Sequence, residues 1–438
     1  MKKTILALLI LSGFSSAGPT STIETDSTAP KNIIVMIGDG MGPSYTSAYR
    51  YYQDDKSTDK VERTVFDRLL VGMVSTSPHP IDGYLTDSAA SATALATGVK
   101  TYNKAIAIDI NKKPLETLFE KARKAGKATG LVVTAPINHA TPAAFMVHND
   151  SRYNKDDIAD AYFDERINGQ FKADVMLGGG LKYFERDDRN LVTEFKEAGY
   201  QFIDSMTKFS SLNYSNPKVL GLFSDSGLGP RLDDKVPDRL QRQTEAAVRL
   251  LAHQEAGFVL LIEGSQIDWA GHDNNVADAM AEMDDFAKTL KWVEQYVKAH
   301  PDTLLVATAD HNTGGMTLSS GEVFDWQPQW LKNIKMSPYK MAKQIINGTL
   351  KLQNISSKLG FELSDNEFSS LDSARKLGTN DLFEAIKVLI DQKTNTGWTT
   401  VGHTAVDVQV FAAGKQSKMF YGSQDNTDIG QKLLNLLD

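Results

Sequence analysis

Residues 86–91, Thr-Asp-Ser-Ala-Ala-Ser, place a serine hydroxyl at the start of an alanine-rich segment that is typical of a helix. The first backbone amides of a helix have no intrahelical partners and lie at the positive end of its dipole. A phosphoryl group bound over Ser88 would therefore meet free N–H donors. Serine is a weak nucleophile and needs a base or a cation to activate it. The alternative interpretation is an ordinary helix cap formed by Asp87 or Ser88.

Carboxylates and an imidazole follow two predicted strands. Asp39 lies between glycines directly after the apolar run 32–37, and Asp310 and His311 follow the run 303–307. Open parallel sheets gather their functional groups at the carboxyl ends of the strands, so these side chains are expected in one crevice. For Asp39 alone, an ordinary Gly-Asp-Gly turn is the competing interpretation.

A third strand, predicted over 258–262, ends at Glu263 and is followed by Asp268 and His272. The spacing of four residues between Asp268 and His272 would aim a carboxylate and an imidazole at one point if the segment is helical. Such a ligand pair suits zinc. Glu263, at the end of the strand, could face a harder ion.

His403 differs from the other candidates because it precedes its apolar run, 406–412. An antiparallel edge strand would resolve the difference, since its amino end lies beside the carboxyl ends of the parallel strands. A single histidine is more often a surface or hydrogen-bonded residue than a ligand. Four carboxylates and three imidazoles at predicted strand ends favour a metal site instead. His79, His148, His253 and His300 have no acidic neighbour at ligand spacing after a strand and are not candidates.

Apolar strand patterns and helical patterns alternate along the chain, which predicts an α/β fold. The expected architecture is a three-layer sandwich with a mostly parallel central sheet, an antiparallel edge strand, and helices on both faces. The segment 321–398 separates two polar motifs and contains helical patterns, so it is predicted to be a folded insertion. The catalytic domain is expected to span 31–438.

The composition limits the location and the partners. Residues 1–17 have two lysines, an apolar run and a Ser-Ser-Ala end, a pattern typical of a signal peptide cleaved after Ala17. Residues 18–30 are predicted to form a disordered leader. The chain has no cysteine and a net charge of −8, which excludes thiolate metal sites and argues against nucleic-acid binding. No later segment could anchor the mature protein in a membrane, so a periplasmic or secreted location is expected.

Taken together, these motifs resemble the alkaline phosphatase family. The resemblance rests on 38–40, 86–91, 139–142 with Arg152, 263–272, 308–315 and 402–404, which occur in the order of the family. It implies that Ser88 is phosphorylated and then regenerated by water, beside two Zn²⁺ ions. By motif matching, one zinc ion would bind Asp268, His272 and His403, and the other would bind Asp39, Asp310 and His311, with Ser88 as a further ligand.

The resemblance also implies a third ion, Mg²⁺, held by Asp39, Thr141 and Glu263. Arg152 would grip two phosphate oxygens through its planar fork, oriented by Asp87. His139 and Trp269 stand beside the third site, where some bacterial members have Asp and Lys. A homodimer is implied as well, with the insertion 321–398 as a candidate interface.

The expected activity is the hydrolysis of small-molecule phosphate monoesters with release of inorganic phosphate. A phosphodiesterase with the same metal core is the first alternative, although it would not need Arg152 or the pair Thr141 and Glu263. A metal- or phosphate-binding protein without turnover is the alternative from another class, and the intact Ser88 nucleophile argues against it.

Overall fold

The computed structural model describes residues 28–236 and 238–438. The predicted signal peptide and the first ten residues of the predicted leader lie outside this part of the chain. The strands are β1 (Asn32–Gly38), β2 (Leu70–Ser75), β3 (Ala128–Pro136), β4 (Arg166–Ile167), β5 (Gln170–Phe171), β6 (Val175–Gly179), β7 (Gln201–Ile203), β8 (Val219–Leu222), β9 (Phe258–Gly264), β10 (Thr303–Thr308), β11 (Asn312–Thr313), β12 (His403–Thr404), β13 (Val408–Gly414) and β14 (Gly422–Asp425).

Ten of these strands form one sheet in the order β14-β2-β13-β10-β1-β9-β3-β6-β8-β7. The predicted mostly parallel sheet is confirmed, and β13 is its antiparallel strand. Its position differs from the prediction, because β13 lies inside the sheet between β10 and β2 rather than at the edge. Two further strands, β2 and β14, extend the sheet beyond β13.

The sequence pattern missed β2 and β14 because neither is a continuous apolar run. Strand β2 is mostly half-buried and contains Gly72, and β14 reads Gly-Ser-Gln-Asp. The backbone of β14 passes so close to β2 that a Cβ atom on Gly72 would lie 2.1 Å from the carbonyl oxygen of Gly422. Glycine is therefore required at position 72 for steric reasons.

Helices cover the sheet in two groups, and the predicted three-layer sandwich is confirmed. In one group α3 packs on α5 and α16, and in the other α11 packs on α1 and α9. The helices are α1 (Pro43–Gln53), α2 (Val65–Leu69), α3 (Ser88–Thr97), α4 (Leu118–Lys124), α5 (Ala140–Met146), α6 (Lys155–Asp164), α7 (Leu181–Phe184), α8 (Leu191–Glu197), α9 (Arg239–Leu251), α10 (Gln266–His272), α11 (Val276–Ala299), α12 (Pro338–Ile346), α13 (Ser356–Leu359), α14 (Asp365–Arg375), α15 (Thr379–Thr394) and α16 (Asn426–Asn435).

The three central strands β1, β9 and β10 bring their carboxyl ends together. Their side chains are buried along almost the whole length, as expected of parallel strands covered on both faces. In the register of the sheet, Ile37 of β1 lies opposite Thr308 of β10 on one side and Glu263 of β9 on the other. Asp39 lies two residues after Ile37, and Asp310 lies two residues after Thr308. The carboxylates of Asp39, Asp310 and Glu263 therefore meet at one edge of the sheet.

Between β11 and β12 the chain forms α12, α13, α14 and α15, and both α12 and α14 pack on α15. This is the segment 321–398 for which the sequence predicts a folded insertion. Its boundaries as a separate subdomain stay a prediction. Among the residues that the structure describes, no helix is both long and apolar enough to cross a bilayer.

Candidate active site

Helix α3 presents Ser88 to the crevice at the carboxyl ends of the central strands. Ser88 is the first residue of α3, and Asp87 caps the helix by accepting a hydrogen bond from the amide of Ala90 at 3.0 Å. The cap interpretation of Asp87 is therefore correct for one of its carboxylate oxygens. One turn later, the Ser91 hydroxyl donates to the backbone carbonyl of Asp310 at 2.7 Å, which fixes α3 against the end of β10.

Ser88 lies beside the first group of candidate ligands, Asp39, Asp310 and His311. The Ser88 Oγ atom is 3.1 Å from His311 Nε2, and this same nitrogen is 3.5 Å from Asp39 Oδ1 and 3.3 Å from Asp310 Oδ2. All four side chains are buried. One ligand atom from each of Asp39, Asp310 and His311 lies within 4.8 Å of the others, a spacing that one metal ion could bridge.

The second group combines α10 with the chain before β13. His272 Nε2 lies 3.4 Å from Asp268 Oδ2 and 3.2 Å from His403 Nε2. Both imidazoles are oriented by backbone carbonyls, since His272 Nδ1 contacts Val401 O at 2.6 Å and His403 Nδ1 contacts Thr86 O at 2.8 Å. A carbonyl oxygen can only accept, so each Nδ1 carries a proton and Nε2 is the ring nitrogen that faces the centre.

A third group lies on the other side of Asp39. Asp39, His139 and Glu263 each offer a ligand atom within 4.8 Å of the others, and Thr141 is buried at the same carboxyl end of β3. The His139 ring packs edge-on against Trp269, with the ring centroids 6.1 Å apart. The sequence indicates His139 only as a neighbour of this site, whereas the structure places its ring within reach of a bound ion.

The described residues around these groups include buried polar atoms without any hydrogen-bond partner. Buried polar groups normally have partners, because an unpaired one loses its hydration without compensation. The unpaired atoms here are both carboxylate oxygens of Asp39 and of Glu263, Oδ2 of Asp310, Oγ1 of Thr141 and Nδ1 of His139. These oxygens and nitrogens are the donor types that zinc and magnesium bind, so the residues fit the metals that the sequence predicts.

Burial in a shared crevice raises the pKa of several carboxyls. Burial and then the charge of Asp310 raise the pKa of Asp39 well above its usual value, and the same two causes raise the pKa of Glu263 to about 8. Burial and then the charge of Asp268 raise the pKa of Asp310 to about 7. Cations placed among these groups would favour the ionised carboxylates.

The imidazoles fall into two kinds. Burial, followed by the charge of His403, lowers the pKa of His311 well below its usual value, which keeps this ring neutral as metal ligation requires. In contrast, the hydrogen bond that His272 donates to Asp268 raises the pKa of His272 to about 9. Burial alone would raise the pKa of Asp268, but His272 outweighs it and lowers that pKa. Without a cation, Asp268 and His272 therefore form an ion pair.

Arg152 reaches the mouth of the crevice from the loop before α6. Its Nη1 donates to Asp87 Oδ2 at 3.0 Å, and its Nη2 lies 3.3 Å from His139 Nε2. The side chain is 14% exposed, so the guanidinium is partly desolvated while remaining accessible from solvent. Asp87 thus caps α3 with Oδ1 and orients Arg152 with Oδ2, which joins the two interpretations of this residue.

Sequence reasoning missed two sets of residues that hold the site. The Thr313 hydroxyl donates to Asp268 Oδ1 at 2.5 Å and lies 3.2 Å from His311 Nδ1, so it accepts from that ring and directs Nε2 to Ser88. The backbone amides of Asn103 and Lys104 donate hydrogen bonds to the carboxylates of Asp82 and Asp87, respectively. Thr313 lies only two residues after His311, and Lys104 lies in a loop. Neither position carries a recognisable spacing signal.

A fourth cluster with metal-like spacing, Glu120, His148 and Glu165, is an ion-pair network. The ammonium group of Lys172 lies 2.7 Å from Glu120 Oε1 and also contacts Glu165, and this lysine is only 3% exposed. His148 lies 3.7 Å from each carboxylate and contacts Leu115 O at 2.9 Å. The lysine supplies the positive charge that these carboxylates need.

The His148→Gln substitution is expected to reduce stability in a pH-dependent way. Burial opposes the charged ring, but the hydrogen bond to Glu165 and the charge of Glu120 outweigh it and raise the pKa of His148. A raised pKa in the folded state stabilises the protein fully below the unfolded pKa, about 6.5, and the effect is lost as pH rises through the folded value. Urea unfolding should show a cost on the order of 1 kcal/mol at pH 6 that shrinks by pH 9.

The matched control for this experiment is His253→Gln, because His253 is exposed on the surface. Parent and variants are compared under the same metal conditions. Any contribution of metal binding in the crevice to the free energy of unfolding then cancels. A cost of His148→Gln that stays constant between pH 6 and pH 9 would show that the ring contributes by packing and not by its charge.

The fold and the site together define an α/β enzyme with a buried serine at a helix start, surrounded by candidate metal ligands. The sequence profile described as alkaline phosphatase matches residues 30–438. The chain belongs to the alkaline phosphatase family. Its members are metal-dependent phosphatases that act on small-molecule phosphate esters, and the family resemblance of the sequence is therefore confirmed.

Two relatives and one solved structure illustrate the similarity. Alkaline phosphatase 3 of Bacillus subtilis is 44% identical, over 99% of this chain and 97% of the relative. The repressible alkaline phosphatase of Saccharomyces cerevisiae is 31% identical, over 99% of this chain and 85% of the relative. The crystal structure of a cold-active alkaline phosphatase from a psychrophilic Shewanella superposes with a TM-score of 0.88 and shares 50% sequence identity. The superposition covers 93% of this chain and 100% of the Shewanella chain.

Proposed function

We propose that this phosphatase hydrolyses phosphate monoesters through a phosphoserine at Ser88, in a site that holds two Zn²⁺ ions and one Mg²⁺ ion. The observation that supports the proposal most strongly is the position of Ser88. Its hydroxyl lies at the amino end of a buried helix, 3.1 Å from His311, among carboxylate oxygens that have no hydrogen-bond partner in the described part of the chain.

The proposed ligand sets follow the three groups of side chains. One zinc ion would be held by Asp268, His272 and His403, and the other by Asp39, Asp310 and His311 with Ser88. Magnesium would be held by Asp39, Thr141 and Glu263, with His139 and Trp269 beside it. When bound, the cations lower the pKa of the attacking oxygen and stabilise charge on the transferred group.

The chain's own residues carry the transfer in two displacements. Ser88 Oγ loses its proton and forms a bond to phosphorus while the bond to the leaving oxygen breaks, and the leaving oxygen takes up that proton and departs as the alcohol. Water then attacks the phosphoserine from the vacated side, and the bond between Ser88 Oγ and phosphorus breaks. The products are the alcohol and inorganic phosphate, and Ser88 recovers its proton. The amino end of α3 stabilises the negative charge in both displacements.

Arg152 is proposed to bind two phosphoryl oxygens that do not react, held in place by Asp87. The Arg152→Lys substitution keeps the charge but loses the planar fork, so kcat/KM for an aryl phosphate monoester is expected to fall about 10- to 100-fold. Hydrolysis of the matching diester should fall less, because a diester has one anionic oxygen fewer for the fork. Steady-state kinetics on both esters measure the difference.

The same pair of substrates tests the proposed function itself. The unmodified protein should hydrolyse the monoester far faster than the diester. Equal or faster turnover of the diester would support the phosphodiesterase alternative and contradict the monoesterase proposal. Tight phosphate binding without turnover of either ester would support the binding-protein alternative.

A homodimer and a periplasmic or secreted location are also part of the proposal. The apolar side chains of Phe324 and Leu377, in the segment between β11 and β12, are exposed and could be covered by a second copy. Sedimentation is expected to give twice the chain mass, and the double variant Phe324→Ser with Leu377→Ser should shift the protein toward monomer. A monomeric parent protein would contradict the homodimer, and an unchanged dimer in the variant would place the interface elsewhere.

A further inference from the structure

The residues proposed to bind the phosphoryl group are largely buried, whereas two aromatic residues near them in the chain are exposed. Ser88 at the floor is 2% exposed, and the Arg152 side chain above it is 14% exposed. Tyr153, the next residue, is 68% exposed, and Tyr84, four residues before Ser88, is 83% exposed. Two large exposed aromatic residues therefore stand, along the chain, beside the residues proposed to bind the phosphoryl group.

One short turn holds both segments in place. The side chain of Asn103 donates to Leu85 O at 3.0 Å and accepts from the amide of Asp87 at 2.8 Å, which fixes the segment that carries Tyr84. The carbonyl of Lys104 accepts from the amide of Arg152 at 2.8 Å, which fixes the segment that carries Tyr153. Lys104 adopts a left-handed backbone conformation, with φ of 79°, so the turn is a defined structure and not an open loop.

The Tyr153 ring has a polar neighbour of its own. The Lys104 ammonium lies 5.8 Å from the centre of the ring, within the range of a cation–π contact. Because Lys104 is exposed, this contact leaves most of the ring surface free. The turn thus presents an aromatic face and a positive charge side by side, and the backbone of Lys104 contacts both Asp87 and Arg152.

We propose that Tyr153 and Tyr84 form a leaving-group subsite that favours phosphate monoesters of planar aromatic alcohols, with Tyr153 as the main specificity-determining residue. This inference rests on the proposed monoesterase function. It concerns only the part of the substrate that departs, since the phosphoryl group itself is bound deeper, by Arg152 and the groups around Ser88.

The geometry of an in-line displacement supports this occupant. The leaving oxygen must lie on the far side of phosphorus from Ser88 Oγ, and Ser88 is at the buried floor. The leaving group therefore points toward solvent, on the side of Arg152, whose neighbour in the chain is the exposed Tyr153. A planar aromatic group can stack on an exposed tyrosine ring, whereas a small aliphatic alcohol gains little from it.

The test compares Tyr153→Ala, Tyr84→Ala and Tyr153→Phe in the metal-loaded full chain. For Tyr153→Ala, the ratio of kcat/KM for phenyl phosphate to that for glycerol phosphate is expected to fall about three- to tenfold, mainly through KM. Tyr84→Ala should lower the ratio less, and Tyr153→Phe should restore it because the ring is kept. In Tyr153→Ala, inhibition by phenylphosphonate relative to inhibition by methylphosphonate should weaken by a similar factor. Phosphonates have no leaving group, so this comparison reports binding alone.

The matched control is Tyr421→Ala, since Tyr421 is 60% exposed and precedes β14 at the opposite, amino-terminal edge of the parallel strands. Its ratio should equal that of the parent. An unchanged ratio in Tyr153→Ala, with both esters still hydrolysed, would overturn the subsite alone. Failure of the parent to hydrolyse either ester would instead contradict the proposed function. A change of sedimentation in Tyr153→Ala would overturn the subsite in favour of a covered subunit interface.

Discussion

Replacing Ser88 by alanine is expected to lower kcat/KM for an aryl phosphate monoester by at least about 10³-fold, which corresponds to roughly 4 kcal/mol of transition-state stabilisation. The variant keeps the helix start, the Asp87 cap and the candidate metal ligands other than Ser88 itself, so most of the binding and electrostatics remain. It loses the oxygen that would form the bond to phosphorus. Direct attack by water, without the intermediate, would account for the residual rate.

The matched control is Ser91→Ala, one turn further along the same buried helix. Ser91 donates to the carbonyl of Asp310 and does not face the proposed phosphoryl position. Its loss should cost about 1 kcal/mol of stability and reduce activity less than tenfold. Equal losses in the two variants would show that both act through the packing of α3 and would contradict a nucleophilic role for Ser88.

Removing metal ions with a chelator is expected to abolish turnover and to make stability depend on pH. In the metal-free protein the pKa of Glu263 is raised to about 8 and that of Asp310 to about 7 by burial and neighbouring charge. At pH values between the ordinary carboxyl pKa and these raised pKa values, the folded state therefore binds more protons than the unfolded state. The lowered pKa values of His311 and His139 act in the opposite direction, but only below the unfolded histidine pKa of about 6.5. Stability must therefore fall as pH rises from about 6.5 to about 8, by on the order of 1–3 kcal/mol.

Thermal unfolding at several pH values checks this expectation, with zinc and magnesium restored in parallel samples. Bound cations favour the ionised carboxylates, so the restored protein should recover turnover and should lose this pH dependence. A metal-free protein whose Tm stays constant between about pH 6.5 and pH 8 would contradict the clustering of unpaired carboxylates. Full turnover in the presence of chelator would contradict the proposed metal chemistry.

Much of the site could be predicted because its residues follow strand ends. Asp39, Glu263 and Asp310 each come at or just after an apolar run, and the parallel register of β1, β9 and β10 necessarily brings such positions together. His403 could be placed through the antiparallel direction of β13. That prediction holds for the direction of the strand and is wrong for its position, because β13 is not at the edge.

The rest could not be read from the sequence, for physical reasons. Strands β2 and β14 lie at one edge of the sheet, where half-exposed positions do not require apolar residues. Thr313 orients His311 through contacts that depend on the folded loop and not on sequence spacing. The turn acts through the side-chain amide of Asn103 and the backbone of Lys104, and neither contact is marked by a sequence spacing.

The most direct test of the central claim is to trap the phosphorylated enzyme. Metal-loaded protein is mixed with a phosphate monoester, quenched in acid during turnover, digested and analysed by mass spectrometry. We expect one phosphoryl group on the peptide that contains Ser88, located on this serine by fragmentation and missing from Ser88→Ala. Rapid turnover with no phosphorylated Ser88 at any quench time, or a phosphoryl group on another residue, would contradict a phosphoserine intermediate at Ser88.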